Sequence, residues 1–200
     1  MKKFMSMLAL MALLATSNAN AENDGFFIGG SLLISGIQKI KNQYKYNESY
    51  RRYYDNEIKQ ESYLNWLSLV LGYTHNLGDK FGLRYYGVID ANGFFAMNYN
   101  TNVDMLYTLT QSESAELRAF AGAWLGYANF EDSYDDGENN GLDLGVNAGV
   151  RAVFGQKHGV DFYARFGFLT QNKEYDKAIY RKSWEVSQPY LIGVRYTYTF

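Results

Sequence analysis

The chain has 200 residues, 19 of them Lys or Arg against 21 Asp or Glu, with no cysteine and one proline. A formal charge of −2 excludes the basic balance of a nucleic-acid-binding protein, and the lack of cysteine excludes disulfides and thiolate metal sites. Nineteen tyrosines, 13 phenylalanines and 19 glycines point to a chain rich in strands and turns.

Residues 1–21 read as a signal peptide: Lys2 and Lys3 form a positive end, Phe4 to Ala15 an apolar run, and Ala19-Asn20-Ala21 a small-x-small cleavage site. The mature domain is expected to span residues 22–200 and to begin at Glu22, with a formal charge of −4 because Lys2 and Lys3 leave with the signal. The apolar run is shorter than the ~20 residues a membrane helix needs. If the mature chain crosses a membrane, it must do so as a β-barrel.

Eight strands follow from period-two alternation. The first covers about Gly25 to Ile34, apolar on both faces, and a polar segment rich in Tyr, Lys and Arg follows from Gln38 to Glu61. Strand two, Tyr63 to Thr74, sets Leu67, Leu69, Leu71 and Tyr73 against Ser68, Val70, Gly72 and Thr74, and ends in the hairpin turn Asn76-Leu-Gly-Asp79. Strand three, Lys80 to Asp90, places Arg84, Tyr86 and Asp90 opposite Phe81, Leu83 and Tyr85. After a connection from Ala91 to Ala96, strand four opposes Val103, Met105 and Tyr107 to Asn102, Asp104 and Leu106. Strand five follows the tight turn at Gln111 to Ser114, with Glu116, Arg118, Phe120 and Trp124 on one face and Leu117, Leu125, Tyr127 and alanines on the other. An acidic loop from Glu131 to Gly141 leads to strand six, which has Leu142, Leu144, Val146 and Val150 outside and Asp143, Asn147 and Arg151 inside. The turn Gly155 to His158 precedes strand seven, Val160 to Thr170, which alternates Phe162 and Phe166 with Asp161 and Arg165. A charged loop from Gln171 to Glu185 returns to strand eight, Tyr190 to Phe200.

Connections run long, tight, medium, tight, long, tight, long. A soluble sandwich has no reason to alternate in this way. An eight-stranded antiparallel up-and-down transmembrane barrel does, with tight turns and both termini in the periplasm and long loops outside. The outward aromatics suggest two belts, Tyr73, Phe81, Tyr107, Phe154, Phe162 and Phe200 at one membrane edge and Tyr63, Tyr127, Phe168 and Tyr190 at the other.

The last strand, with Tyr196, Tyr198 and Phe200 on its apolar face, resembles the C-terminal strand of bacterial outer-membrane barrels. The resemblance implies that these three residues are read by the barrel-assembly machinery. Gly82-Leu-Arg-Tyr-Tyr-Gly-Val-Ile-Asp90 resembles the Gly-Phe-Arg-Tyr-Tyr-Gly strand of the Helicobacter and Campylobacter outer-membrane protein family. The Asp24-to-Gly30 start and the Tyr196-to-Phe200 end are similar to it as well. Larger members of that family include adhesins and porins whose binding domain is a long insertion that this chain lacks. The resemblance therefore implies an integral outer-membrane barrel and no ligand.

Ten charges are expected inside: Arg84, Arg118, Arg151, Arg165 and Arg195 against Asp90, Asp104, Glu116, Asp143 and Asp161. Charges confined in so narrow a lumen must be paired and hydrogen-bonded, which reads as a structural plug. The functional alternative is a narrow pore or ligand channel whose pairs rearrange. A lipid-modifying rim enzyme is disfavoured, because His75 and His158 both fall at the tight-turn end and no nucleophile elbow or metal-ligand cluster occurs. The first polar segment carries Lys39, Lys41, Lys45, Arg51, Arg52 and Lys59 among tyrosines, a mixture able to contact lipopolysaccharide or another surface polyanion. The stretch Asp132 to Asp143 has the outline of a calcium loop, but Tyr134 stands at a ligand position and the final ligand is Asp, so solvated acids are expected there. The expected role is structural or one of adhesion-like surface interaction, that of a noncatalytic barrel without cofactor, with outer-membrane lipid as partner and an extracellular surface ligand as a further candidate.

Overall fold

A computed structural model describes residues 22, 24–46, 54–60, 67–92, 96–131, 138–176 and 180–200. Ten strands occur among them: β1 (Gly25–Tyr46), β2 (Tyr54–Gln60), β3 (Leu67–Asn76), β4 (Phe81–Asn92), β5 (Ala96–Gln111), β6 (Ala115–Glu131), β7 (Glu138–Phe154), β8 (His158–Gly167), β9 (Thr170–Asp176) and β10 (Tyr180–Thr199). Eight of them, β1-β3-β4-β5-β6-β7-β8-β10, are antiparallel neighbours, and β10 pairs back onto β1 to close a barrel. Closure leaves the eight-stranded ring without a free edge, which satisfies its backbone without water.

Alternation builds the wall as the sequence predicts. On β5, Val103, Met105 and Tyr107 are exposed while Asn102, Asp104 and Leu106 are buried. On β1, Phe26, Ile28 and Leu32 point out and Phe27, Ser31 and Leu33 point in, which settles a strand whose two faces looked alike. Phe26 and Tyr73 meet edge to face at 5.0 Å, Phe81 and Tyr107 at 5.2 Å, and Tyr198 and Phe200 at 5.4 Å. These rings gird the end that holds the tight turns and both termini. From Tyr107 to Tyr99 the apolar face of β5 spans nine residues, roughly 20 Å along the barrel axis at a tilt of ~40°, close to the height of an apolar membrane band.

Turn chemistry is local. Gly155 and Gln156 adopt positive φ of 57° and 65°, a mirror-image turn that matches strand twist, and the Lys157 N–H donates to the Phe154 carbonyl at 3.3 Å. The seam holds to the last residue, where the Phe200 N–H donates to the Phe26 carbonyl at 2.9 Å.

Three expectations about connections are corrected. The segments Gln38 to Glu61 and Gln171 to Glu185 are not simply loops: β1 runs on to Tyr46 and pairs with β2, and β9 pairs with the start of β10. The connection from Ala91 to Ala96 is not of medium length, since Ala91 pairs with Met97 and Asn92 with Ala96. The strands are also longer than a tilted crossing of a bilayer requires, with 22 residues in β1, 20 in β10 and 17 each in β6 and β7. A 17-residue strand is roughly 58 Å long, about twice what a tilted crossing of a ~25 Å band requires.

The overrun is greatest at the seam. Beyond the point where β3 leaves one flank of β1, β2 takes that flank, and beyond β8 the flank of β10 passes to β9. The wall thus continues as a four-stranded arc, β2-β1-β10-β9. Register shifts between Leu33 and Ser35 and between Ile37 and Lys39 change the parity of the faces on the way.

Candidate functional site: a lumen crossed by ion pairs

All ten charged residues predicted to point inward are buried, between fully enclosed and 8% exposed. Their positions in the barrel follow from strand register, and their pairing fills the lumen in tiers from the open end to the turn end.

The tier nearest the open end is centred on Asp90 of β4. It accepts hydrogen bonds from Ser68, from Asn100 Nδ2 at 3.0 Å and from Arg165 Nη1 of β8 at 3.0 Å. Arg165 also lies over the Trp124 ring at 4.4 Å. Asp143 sits beside them in a recess lined by Asn98, Trp124, Arg165 and Gln188, with a volume of about 10 Å³, the room that one water needs.

Asp104 of β5 anchors the middle. Arg84 donates to it from Nε at 3.2 Å and Nη2 at 2.7 Å, the Tyr86 hydroxyl donates at 3.0 Å, and Asn147 Nδ2 donates at 2.8 Å. Arg84 also stacks over Phe120 at 4.9 Å, and Arg195 lies between the Tyr86 and Tyr163 rings at 4.6 and 4.7 Å.

Asp161 of β8 gathers three guanidinium groups, with Arg151 at 2.6 Å, Arg84 at 2.8 Å and Arg195 at 3.6 Å. In a ring of eight, β4 and β8 stand opposite one another. Two bridges, Arg84 to Asp161 and Arg165 to Asp90, therefore cross the full diameter at different heights. Inward glycines make room for rings on the adjacent strand. A Cβ on Gly149 would meet the Phe120 ring at 2.7 Å, and one on Gly145 the Trp124 ring at 2.6 Å.

The tier at the turn end contains a residue that the sequence reading missed. Glu22 is 1% exposed and lies inside the barrel, ahead of β1. Its carboxylate takes Arg151 Nη2 at 2.5 Å and Nε at 3.1 Å, and Arg118 Nη1 stands 3.5 Å away. Arg118 and Arg151 are direct cross-strand partners on β6 and β7, a like-charge pair that repels unless an anion lies between them. Glu22 is that anion, and Glu116, bonded to Arg118 Nε at 2.7 Å and to the Thr108 hydroxyl at 2.7 Å, supports the second arginine. Glu22 belongs to no alternating segment, so periodicity gave no sign of it. The available hint was two facing arginines on adjacent strands with one nearby acid.

Both histidines are at the turn end, as predicted. His75 Nδ1 lies 3.2 Å from Asp24 and His158 Nδ1 2.8 Å from the Tyr196 hydroxyl. Tyr196 and Phe200 are exposed on the outer face of β10, at 44% and 68%. Of the predicted polyanion residues, Arg51 and Arg52 lie outside the described residues, as does Tyr63 of the proposed aromatic belt. Register pairs Lys39 with Lys59, sets Lys41 between Glu57 and Glu185, and pairs Lys45 with Arg181. Ile40 pairs with Ile58 and with Val186, which is buried.

The chain matches no protein-family profile and no curated protein. Among solved structures it is similar to the outer membrane protein AlkL in lipid bilayers, at 10% identity over 92% of this chain and 94% of that one, with a TM-score of 0.48. It is also similar to the outer membrane protein OprG of Pseudomonas aeruginosa, at 14% identity over 90% and 99% of the two chains and a TM-score of 0.44. For Ail, the attachment invasion locus protein of Yersinia pestis, the values are 13%, 88%, 99% and 0.37, and Ail has also been solved with the heparin analogue sucrose octasulfate. These are likenesses of architecture.

Proposed function

We propose that this protein is a small, noncatalytic outer-membrane barrel, closed to ions, that works through the surface it presents outside the cell. The observation that carries this reading is the pair of diametric bridges, Arg84 to Asp161 and Arg165 to Asp90, in a lumen enclosed by an apolar outer wall. A conducting barrel of eight strands would have to break buried ion pairs at two heights. The apolar belt and its aromatic rim suit a lipid bilayer, and barrels of this kind occupy the outer membrane. The similarity of Gly82 to Asp90 to the Helicobacter and Campylobacter outer-membrane family agrees with this reading. The turns at 77–80, 112–114 and 155–157 and both termini share one end, which we assign to the periplasm, while Tyr196, Tyr198 and Phe200 present their side chains to the assembly machinery on export.

The arc β2-β1-β10-β9 then stands above the outer leaflet, with Lys39, Lys41 and Lys45 on β1, Lys59 on β2, and Arg51 and Arg52 between the two strands in sequence. Phosphates of lipopolysaccharide are the polyanions within reach. Contacts between exposed charges are screened over about 8 Å at physiological salt, so binding should be weak and fall as salt rises. The test measures lipopolysaccharide binding by the purified protein and by a variant with Lys39, Lys41, Arg51 and Arg52 changed to Gln. Weaker, salt-insensitive residual binding by the variant is expected. Equal binding by both proteins would remove the polyanion role from this arc.

A further inference from the structure

The charges of the enclosed lumen do not balance. Among the described residues six buried acids, Glu22, Asp90, Asp104, Glu116, Asp143 and Asp161, face five buried arginines. At the turn end Glu22 and Glu116 share Arg118, and Glu22 shares Arg151 with Asp161, so neither glutamate has an arginine to itself. A buried charge without a counter-charge is strongly disfavoured. At that point one backbone donor faces the lumen: the Glu22 N–H points at Glu116 Oε2 at 3.1 Å.

We propose that removal of the signal segment completes this interior, because it converts the Glu22 nitrogen into the sixth cation. Signal peptidase adds water across the Ala21–Glu22 peptide bond, leaving a carboxylate on Ala21 and a protonated α-amine on Glu22. The new ammonium lies against Glu116 Oε2, while the Glu116 Oε1 atom keeps Arg118 and Thr108. Six acids then meet six cations. The Glu22 residue is held in register for this from both sides. Its carboxylate grips Arg151 and accepts the Thr199 hydroxyl at 3.3 Å, next to the C-terminus. Its carbonyl accepts Asn76 Nδ2 at 2.6 Å, and Asn76 is tied in turn to Asp24 at 2.7 Å. The N-terminus is thus a working part of the plug: it clasps β6, β7 and the last strand together at the end where the barrel closes. An uncleaved precursor lacks that charge, so processing and full stability are linked.

Three measurements test the proposal. Intact mass and N-terminal sequencing of the protein recovered from the outer membrane of a Gram-negative host should give Glu22 as the first residue, and any other start overturns it. The refolded chain 22–200 is then compared with the same chain acetylated at its N-terminus, which keeps an N–H donor but loses the charge. Acetylation should lower the folding equilibrium constant at least about tenfold, as loss of a buried charge pair does, and should have no such effect in a Glu116→Gln background. Equal stability of the free and acetylated chains, or an equal loss in both backgrounds, overturns the pairing. The third readout does not depend on the acetylated chain folding. The α-amine of the folded, free chain should react with an amine-directed acylating reagent at least about tenfold more slowly than in the urea-unfolded chain. Equal rates would place the amine in solvent and sink the idea.

Discussion

Replacing Asp161 with Asn removes one charge at nearly constant volume from the point where three arginines converge. Arg84 would keep Asp104 at 2.7 Å, and Arg151 would keep Glu22 at 2.5 Å. Arg195 would keep only the faces of Tyr86 and Tyr163. One guanidinium is therefore left buried without an anion and two are left half-compensated, so the expected loss is about 3–5 kcal/mol, the cost of breaking a buried ion pair. Unfolding in urea, followed by tryptophan fluorescence in detergent micelles, measures it. A second arm combines Asp161→Asn with Arg195→Gln. Residues in one charge network do not add, and the double variant should recover at least about 1 kcal/mol relative to the sum of the single changes. An Asp161→Asn protein within ~0.5 kcal/mol of wild type would behave like a surface substitution and refute the convergence of charges on Asp161.

The remaining expectations can be checked with similar tools. Gly149→Ala drives a methyl group into the Phe120 ring and should cost about 1–3 kcal/mol in the same unfolding assay. Arg118→Ala, which strips Glu116 of its guanidinium, should cost about 3–5 kcal/mol, whereas Lys45→Ala in the outer arc should stay within ~0.5 kcal/mol; equal losses would contradict the inward placement of Arg118. Trypsin added to intact cells should cut at Arg51 or Arg52 and spare Lys80 and Lys157, which lie at the tight-turn end. Cleavage at Lys80 or Lys157 would invert the orientation proposed here.

The barrel wall was legible because an apolar outer face and a confined polar lumen impose opposite chemistry on alternate residues. That contrast is sharp in Leu117 to Tyr127 and in Leu142 to Phe154, and there the inward and outward faces are as the alternation predicts. It fails at the far ends of the longest strands. From Gln38 to Tyr46 and from Tyr180 to Ser187 both faces carry polar residues or tyrosines, so nothing in the pattern distinguishes a strand from a loop. Pairing across the seam makes these segments strands, through the long register that starts at Phe27 and Thr199 and ends at Tyr46 and Tyr180. The parity changes near Leu33 and Ile37 are invisible for the same reason, because a bulge is set by the partner strand. Among the site residues, the ten charges on strands were found by periodicity. Glu22 was not, because it reaches Arg151 only after the chain has closed on itself.

The claim on which the functional reading depends is that the lumen is shut, and planar-bilayer recording of the refolded mature protein tests it most directly. With Arg84 joined to Asp161 and Arg165 to Asp90 across the full diameter, the account predicts a flat baseline in concentrated potassium chloride at either polarity. Reproducible single-channel steps that grow with salt concentration, seen in the unaltered protein, would show that these pairs part and leave a pore, and would contradict it.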